Sequence, residues 1–483
     1  MTESHENVSD TRHRHHTPAG RLLTPCDVAG IAMFRIMFAG TILTHVWLYF
    51  SNDLIRYFFG SAPHHLTYFG FEWVPALDLA GMRRVYYLMG LSAAGVALGL
   101  AYRLNAVILF VTFTYTFLAE AGQFQNHFYL MSLIAFLMIF IPAHRAFSVD
   151  SILFPDKASS FVPNGWRILL MFQIAVPYVY GGIAKLNSDW LHGMPLETWV
   201  STRSDLPLIG PLLTERWMAW LISYAGLVID LGAVPLLLWK RSRVTALCIL
   251  TAFHLTNSVL FNIDVFPWMS ILFLTMFFSP NWPRRVLRLV NPRQPDSADW
   301  EIIGRRHRVT LGITAVYVAW QLLFPLRHFL YPGNPSWTEE GQQFAWRMML
   351  RRKDVFFRVY AVDTTAGKTV EIPASLFLSP RQLMELAVSP DQITATAPFF
   401  AERAQATGLN HVQIRAVVIA SLNGRKPQLL IDPRLNLLSV QRSFGTQPGI
   451  VPLTEPLREE PWSTPSSEWP EQLGIQLPAM LPP

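Results

Sequence analysis

The sequence contains very little cysteine and few charged side chains, and both shortages exclude whole classes of protein. Only Cys26 and Cys248 occur among 483 residues, one ahead of the first apolar run and one inside a later run. A disulfide framework is therefore not expected. Charged residues make up 15% of the chain and hydrophobic residues 51%, a balance too apolar for a soluble protein. The composition predicts a protein with several membrane spans.

The motifs of several common enzyme classes are also missing. There is no glycine-rich phosphate-binding loop and no serine in a strand-turn-helix elbow, which argues against nucleotide-dependent enzymes and serine hydrolases. The histidines lack the spacing of a metal site within one helix, and the His-rich run 12–16 is expected to be a disordered tail, so no metal is predicted. No nucleic-acid partner is predicted either, because the arginines behind the +6 net charge cluster at the ends of apolar runs, as membrane topology requires.

Nine apolar runs are long enough to cross about 30 Å of hydrocarbon. They cover residues 28–51, 83–102, 104–120, 127–142, 166–184, 216–239, 243–262, 265–280 and 308–326. The predicted fold class is a mainly α polytopic membrane protein with about nine transmembrane helices, followed by a C-terminal β-rich α+β extramembrane domain. The lipid bilayer is its first predicted partner.

The chain divides into four predicted regions. Residues 1–27 form a polar cytoplasmic tail that lacks the apolar core of a signal peptide. Residues 28–330 form the multi-span domain, and 331–445 form an external β-rich domain. Residues 446–483 are rich in proline, serine and glutamate, so an extended and partly disordered tail is expected there.

Arginine-rich connections determine the predicted orientation. The segments 240–243 and 281–308 are rich in basic residues, and the positive-inside rule assigns such connections to the cytoplasm. With the N-terminus also cytoplasmic, His127, Lys185 and Asp264 converge on the outer face. The domain after residue 330 is then external as well, in a periplasmic or lumenal compartment.

The region after residue 330 carries strand, turn and helix signals. Two strand pairs are predicted, 344–362 with Lys368–Ile372 around a turn at 365–367, and Val412–Leu422 with 428–431 around Asn423-Gly424. Ser379, Pro380 and Gln382 supply an N-cap, a first-turn proline and a capping-box glutamine, so a helix is expected to begin there. A second helix is predicted over 391–406.

Lys185 closes the apolar run 166–184 and stands just before Asp189-Trp190. Desolvation disfavours the charged form of an amine, so a lysine at such a boundary is a candidate base. The alternative is a snorkelling lysine, whose stem lies along the bilayer edge while its head stays in water. Gly181-Gly182, one turn earlier, is expected to permit close packing of helices.

Four further polar side chains are candidates for the same site. Asn126 and His127 stand together at the start of the fourth span, and His254 and Asn257 lie one turn apart in the seventh span. Polar groups inside a span face protein or water rather than lipid, so they are candidates for a substrate or quinone pocket. The alternative is structural, with His127 a satisfied hydrogen-bonding group and the other two bridging helices.

The order of motifs resembles that of the vitamin K-dependent gamma-glutamyl carboxylase family, of a bacterial type, over nearly the whole chain. The motifs that carry the resemblance are the Met33–Phe38 segment with Arg35, Asn126-His127-Phe128-Tyr129-Leu130, Phe147-Ser148-Val149-Asp150, 182–190 with Lys185 and Trp190, Phe253-His254-Leu255-Thr256-Asn257-Ser258, Trp337-Thr338, Trp346-Arg347-Met348-Met349 and Ile431-Asp432-Pro433-Arg434. A series in this order along the chain is far more specific than any one of its members.

The resemblance implies an activity and its reactants. A reduced vitamin K or menaquinol-type naphthoquinol would be oxidised by dioxygen to its epoxide, and this oxidation would drive removal of a glutamate γ-proton and addition of carbon dioxide. The family's base matches Lys185, and the histidine that assists at the glutamate step matches His127. A glutamate-containing peptide or protein is the implied substrate.

Two departures from vertebrate members bear on that expectation. Ala184 stands where they carry a second lysine, which leaves the base in place. The chain also has no cysteines for their external disulfide, which weakens the expectation that their substrate-docking surface is kept. Two other functions stay open, namely a quinol epoxidase or oxidase that does not carboxylate peptides, and a non-enzymatic transporter or immunity-type membrane protein.

Overall fold

The computed structural model describes residues 22–261, 263–293 and 308–477. The predicted N-terminal tail up to residue 21, with its His-rich run, lies outside these ranges. So do residues 294–307 of the arginine-rich connection and the last six residues of the predicted proline-rich tail.

Each predicted apolar run coincides with a helix in the described part of the chain. These helices are α1 (Ala29–Ser51), α2 (Leu79–Leu98), α3 (Tyr102–Leu118), α4 (Asn126–Phe140), α5 (Asn164–Ala184), α6 (Arg216–Leu238), α7 (Arg243–Leu260), α8 (Phe266–Leu274) and α9 (Arg308–Leu323). Short helices connect them at Leu54–Phe59, Val149–Leu153, Ser188–Leu191, Leu196–Val200, Gly210–Leu213 and Trp282–Val286.

The prediction of about nine spans is not confirmed. Five helical segments in the described ranges are long and apolar enough to cross a membrane, namely Ala29–Ser51, Asn164–Ala184, Arg216–Leu238, Arg243–Leu260 and Gly312–Leu330. Helices α3, α4 and α8 are apolar but shorter, at 10–17 residues even when the 3₁₀ turn after α8 is included. A helix needs about 20 residues to span the hydrocarbon, so these three fall short by length.

Arg35 joins the end of α2 to the connection after α4, on the side opposite the C-terminal domain. Its guanidinium is fully buried and donates to the carbonyl oxygens of Ala97, Ala143 and Phe147. Ala97 lies in the last turn of α2, and Ala143 and Phe147 lie in the connection after α4, so this one side chain satisfies carbonyls that have no partner within a helix. The short strands β1 (Pro25–Asp27) and β2 (Phe161–Pro163) pair antiparallel beside it.

The C-terminal domain is built on a four-stranded antiparallel sheet of order β4-β3-β5-β6. Its strands are β3 (Lys353–Asp363), β4 (Lys368–Ile372), β5 (Val412–Leu422) and β6 (Gln428–Leu429), and its helices are α10 (Pro380–Val388) and α11 (Pro390–Ala406), with a short helix at Pro335–Thr338. Both predicted strand pairs and both predicted helices are present. The capping box at Ser379 and Gln382 forms as expected.

The first strand begins nine residues later than predicted. Residues 344–352 form no strand, because Phe344, Trp346 and Met349 have φ of +59°, +57° and +58°. Side chains other than glycine rarely adopt such angles, and alternation between them and ordinary backbone cannot extend as a strand. The segment instead turns repeatedly and carries Trp346 into the helical domain.

The described part of the predicted tail is ordered against the sheet. Residues 446–477 are mostly irregular, but the short helix Trp469–Gln472 anchors them. Trp469 is buried and packs with Phe356 and Tyr360 of β3. Aromatic burial of this kind outweighs the cost of ordering a proline-rich segment.

The C-terminal domain docks on loops of the helical domain through polar contacts, one of them fully buried. Glu120, between α3 and α4, is fully buried and accepts a hydrogen bond of 2.7 Å from Gln382 of α10. Arg442 forms a second contact, bound to Asp391 in its own domain and to Glu72 of the helical domain. The sheet is thereby held over the face at which α5 ends.

Candidate active site

Lys185 caps the C-terminal end of α5 and its side chain turns into the protein. Its Nζ donates to Asp230 Oδ2 at 2.6 Å and to the Gly181 carbonyl at 3.5 Å. The ammonium also lies 5.0 Å from the centre of the Trp190 ring. Lys185 is only 6% exposed, whereas a snorkelling lysine keeps its head in water. The geometry therefore favours an internal role.

Asp230 is the partner that sequence reasoning missed. It lies on α6, and its side chain is 8% exposed. A charge buried in apolar surroundings is stable only when it is paired and hydrogen-bonded, so each of these two groups requires the other. A signal was present in the sequence, because Asp230 is the only acidic residue of α6, and an ionisable residue inside a span indicates a functional site.

Two glycines allow α5 and α6 to approach at this point. A methyl group on Gly182 would lie 2.7 Å from Leu231 Cδ2 and 3.1 Å from the Leu231 backbone nitrogen. A methyl group on Gly181 would lie 3.4 Å from Asp230 Oδ2. The expectation that this glycine pair permits close helix packing is confirmed, and the packing brings Asp230 to the lysine.

His127 and Asn126 lie at the start of α4 with polar atoms that have no partner. His127 is 6% exposed, and its ring centre lies 5.5 Å from that of Phe266. Within the described residues, His127 Nε2 and Asn126 Oδ1 are buried without a hydrogen bond. Buried polar atoms are nearly always hydrogen-bonded. The alternative in which His127 is a structural residue with all its hydrogen bonds made therefore disagrees with the structure. Both unpaired atoms are suited to contact with a polar ligand.

His254 faces the protein interior from α7. It is 1% exposed, its Nε2 lies 2.7 Å from the Tyr178 hydroxyl, and its ring centre lies 5.5 Å from that of Phe266. Its Nδ1 is buried and has no partner in the described chain. Tyr178 is two turns before Lys185 on the same face of α5, so these contacts lead from His127 past Phe266 to the lysine's helix.

Not all predicted site residues meet. Lys185 makes no hydrogen bond to either histidine, and the Asn257 side chain, which is half-buried, makes none to any described group of the site. Asp264 lies in the connection between α7 and α8, where burial raises the pKa of its carboxyl. Among the described residues, no group of three or more histidine, cysteine or acidic side chains could hold a metal ion.

A segment of the C-terminal domain covers the lysine. Trp346 is 1% exposed and stacks on Tyr129, with ring centres 4.9 Å apart. The terminal methyl of Met348 lies against Gly181, where an added Cβ would be only 3.1 Å away. Met348 thus lies beside the Lys185–Asp230 pair and shields it from water, which strengthens the electrostatic interaction within the pair, while Trp346 packs against α4.

Two family models match successive parts of the chain. The HTTM domain covers residues 23–282, more than half of the chain. The lumenal domain of vitamin K-dependent gamma-carboxylase covers residues 306–456. The chain belongs to the vitamin K-dependent gamma-carboxylase family. Membership in this gamma-carboxylase family, together with the apolar helices, makes it a multi-pass membrane protein. No solved structure matches it.

Proposed function

We propose that this protein is a quinol-dependent carboxylase in which Lys185, paired with Asp230, takes the proton of a naphthoquinol. The observation that carries the proposal is the buried contact of 2.6 Å between these two side chains. An intramembrane lysine and aspartate are costly to bury and are kept where a proton must be moved. Membership in the vitamin K-dependent family supports the choice of a naphthoquinol.

The unsatisfied polar atoms fit such a reactant. A hydroquinone has two hydroxyl groups on an aromatic ring, so it can donate to His254 Nδ1 while its ring lies among aromatic side chains such as Phe266. When bound, the quinol supplies, through its oxidation by dioxygen, the energy needed to remove a weakly acidic proton from the γ-carbon of glutamate.

Asp230 explains how Lys185 can serve as a base. An ammonium cannot accept a proton, so the pair must first hold the lysine as a free amine. In a site of low dielectric, a protonated carboxyl beside a neutral amine competes with the ion pair, because burying two charges costs several kcal/mol per ion. Asp230 therefore accepts the lysine's proton, and the Lys185 amine accepts the hydroquinone proton.

His127 and Asn126 act at the glutamate step in this proposal. With its Nε2 protonated, His127 can donate to the substrate carboxylate, and Asn126 Oδ1 can accept from a backbone amide of the peptide, so that the γ-carbon is held in position for carbon dioxide. Met348 of the C-terminal domain, which lies against Gly181 beside the pair, excludes water from the reaction. Exclusion matters because water would protonate the strong base on which carboxylation depends.

One assay separates the three functions left open. Purified protein in nanodiscs receives a reduced naphthoquinone, dioxygen, a glutamate-containing peptide and carbon-labelled bicarbonate. The proposal predicts epoxide together with label in the peptide, and both products should be lost in Lys185→Ala. Epoxide without labelled peptide would restrict the protein to an epoxidase, and neither product, in protein shown to be folded, would contradict an enzymatic role.

A further inference from the structure

A second buried ion pair joins the C-terminal domain to the segment that follows Lys185. Arg425 donates to both carboxylate oxygens of Asp189, at 2.7 and 2.8 Å. Asn423 donates to the same carboxylate at 2.8 Å. Asp189, Asn423 and Arg425 are 6%, 1% and 7% exposed. A bidentate arginine-carboxylate contact fixes both distance and direction.

The hairpin between β5 and β6 is shaped to present these two side chains. Asn423 and Gly424 have φ of +52° and +76°, as a tight turn of this sequence requires. The Asn423 side chain also accepts from the Arg352 backbone nitrogen at 2.8 Å and donates to the Leu350 carbonyl at 3.3 Å. The turn is therefore bound to the segment leading into β3, which also covers the lysine.

Asp189 is only four residues after Lys185, and the segment between them connects the Arg425 contact to the lysine. It lies in the short helix Ser188–Leu191, whose N-cap Asn187 accepts from the Trp190 backbone nitrogen. The neighbouring Trp190 places its ring against Lys185 Nζ and donates from Nε1 to the Ser223 carbonyl of α6 at 2.8 Å. Ser223 lies two turns before Asp230 on α6. Arg425 thus reaches both members of the Lys185–Asp230 pair through Asp189 and Trp190.

We infer that Arg425 is a positioning residue, through which the C-terminal domain holds Lys185 in its reactive geometry. The inference rests on the proposed function of Lys185 as the base. Misplacing a reacting group by about 1 Å can cost on the order of 10²-fold in rate. A movement of the C-terminal domain when it binds its substrate would therefore alter the reactivity of Lys185. Arg425 touches no reactant itself.

Arg442 supplies a matched control. It too is an arginine of the C-terminal domain that binds a carboxylate of the helical domain, Glu72, at 2.9 Å, and it also binds Asp391 of its own domain at 2.6 Å. Its contacts are with residues of the loop before α2 and with α11, and none is with the 185–190 segment. Loosening the domain at Arg442 should therefore leave the lysine in place.

The first test measures the lysine directly and does not require activity. The intact protein in nanodiscs is treated briefly with an amine-acylating reagent, and modification of Lys185 is quantified by peptide mass spectrometry. Arg425→Gln and the charge-conserving Arg425→Lys should each raise the rate of modification by about tenfold or more, because a broken buried pair frees its segment. Arg442→Gln and Arg442→Lys should leave the rate near that of the wild type.

The second test measures whether substitution of Arg425 changes the rate of epoxide formation. Arg425→Lys should lower kcat for epoxide formation by on the order of 10²-fold with KM for the quinol nearly unchanged, while Arg442→Lys should alter neither by more than about twofold. Unchanged Lys185 modification in Arg425→Lys, or equal effects in both arginine series, would overturn the inference. Absence of epoxide in the wild type would contradict the proposed function alone, because the modification rates still decide the role of Arg425.

Discussion

At the scale of single residues, the candidate active site is built on the buried pair of Lys185 and Asp230. Lys185 and Asp230 are each separated from water and each within hydrogen-bond distance of the other. Removing one partner of such a buried pair leaves an uncompensated charge and typically costs about 3–5 kcal/mol. Activity measurements on variants of either residue must therefore be accompanied by a measurement of folding.

His254 gives a residue-scale prediction that separates function from packing. His254→Leu removes both ring nitrogens, the one bound to Tyr178 and the orphaned one, so epoxide formation should fall by more than about tenfold while the chain remains folded. Activity and thermal unfolding in nanodiscs are measured together.

The control for that variant must face away from the protein. Leu250, one turn before His254 on the same helix, is only 1% exposed and is therefore unsuitable. Val259 is 52% exposed, and Val259→Ala should leave activity unchanged. Equal activity of His254→Leu and Val259→Ala would remove His254 from the site.

Lys353 gives a prediction for pH. Burial in the C-terminal domain lowers the pKa of its amine from 10.5 to about 8, although Glu339 opposes the shift. Between these two pH values the unfolded chain binds more protons than the folded chain, so the contribution of Lys353 to the free energy of unfolding becomes more favourable as pH rises from about 8 to 10.5. The unfolding temperature of the wild type minus that of Lys353→Met should increase across this window, and a constant difference would contradict the shift.

At the scale of secondary-structure elements, the features that depend on residues close together in the chain could be predicted from the sequence. The capping box at Ser379, the Asn423-Gly424 turn and the strands around it form as the sequence indicated, because each depends on residues close together in the chain. The start of β3 was predicted too early, since three residues in the left-handed region interrupt the apolar alternation of 344–352. Such strain depends on tertiary contacts that no local pattern reports.

Helix packing at Gly182 gives an element-scale prediction. The added methyl of Gly182→Ala would clash with the Leu231 side chain and approach its backbone, so α5 and α6 must separate and Lys185 must move from Asp230. Epoxide formation should fall by at least about tenfold, with a lower unfolding temperature.

Gly232 of α6 is the matched control for that change. A methyl group there meets only Leu236 Cδ1, at 3.6 Å, which is ordinary contact, so Gly232→Ala should retain activity and stability. If Gly182→Ala behaves in the same way, close approach of the two helices is not what brings the pair together.

At the scale of the whole molecule, the sequence predicted the helical and β-sheet regions better than the contacts between them. Composition identified a multi-span protein with a β-rich domain, and helices occur at every predicted run, but the apolar runs could not show that α3, α4 and α8 would be only 10–17 residues long, even with the 3₁₀ turn after α8 included. Lys185, His127 and His254 were found as candidates because a polar group stands out in an apolar run. Asp189 and Arg425 could not be paired in advance, because 236 residues separate them.

Orientation remains a prediction of the basic connections and is tested at this scale. A protease-cleavable tag at the C-terminus should be cut in intact spheroplasts, because the positive-inside rule assigns the C-terminal domain to the external side. The same tag fused ahead of residue 1 should be protected until the membrane is opened. A C-terminal tag that is protected in intact spheroplasts would reverse the assigned orientation.

The most direct test of the account compares two substitutions of Lys185. Lys185→Ala removes the amine, and Lys185→Arg keeps a positive charge beside Asp230 but cannot give up its proton near neutral pH. If Lys185 works as a base, epoxide formation from a reduced naphthoquinone should be lost in both variants by at least about 10³-fold, although the arginine variant should fold as well as the wild type. Near-normal epoxide formation by Lys185→Arg would contradict the account and leave the lysine a structural partner of Asp230.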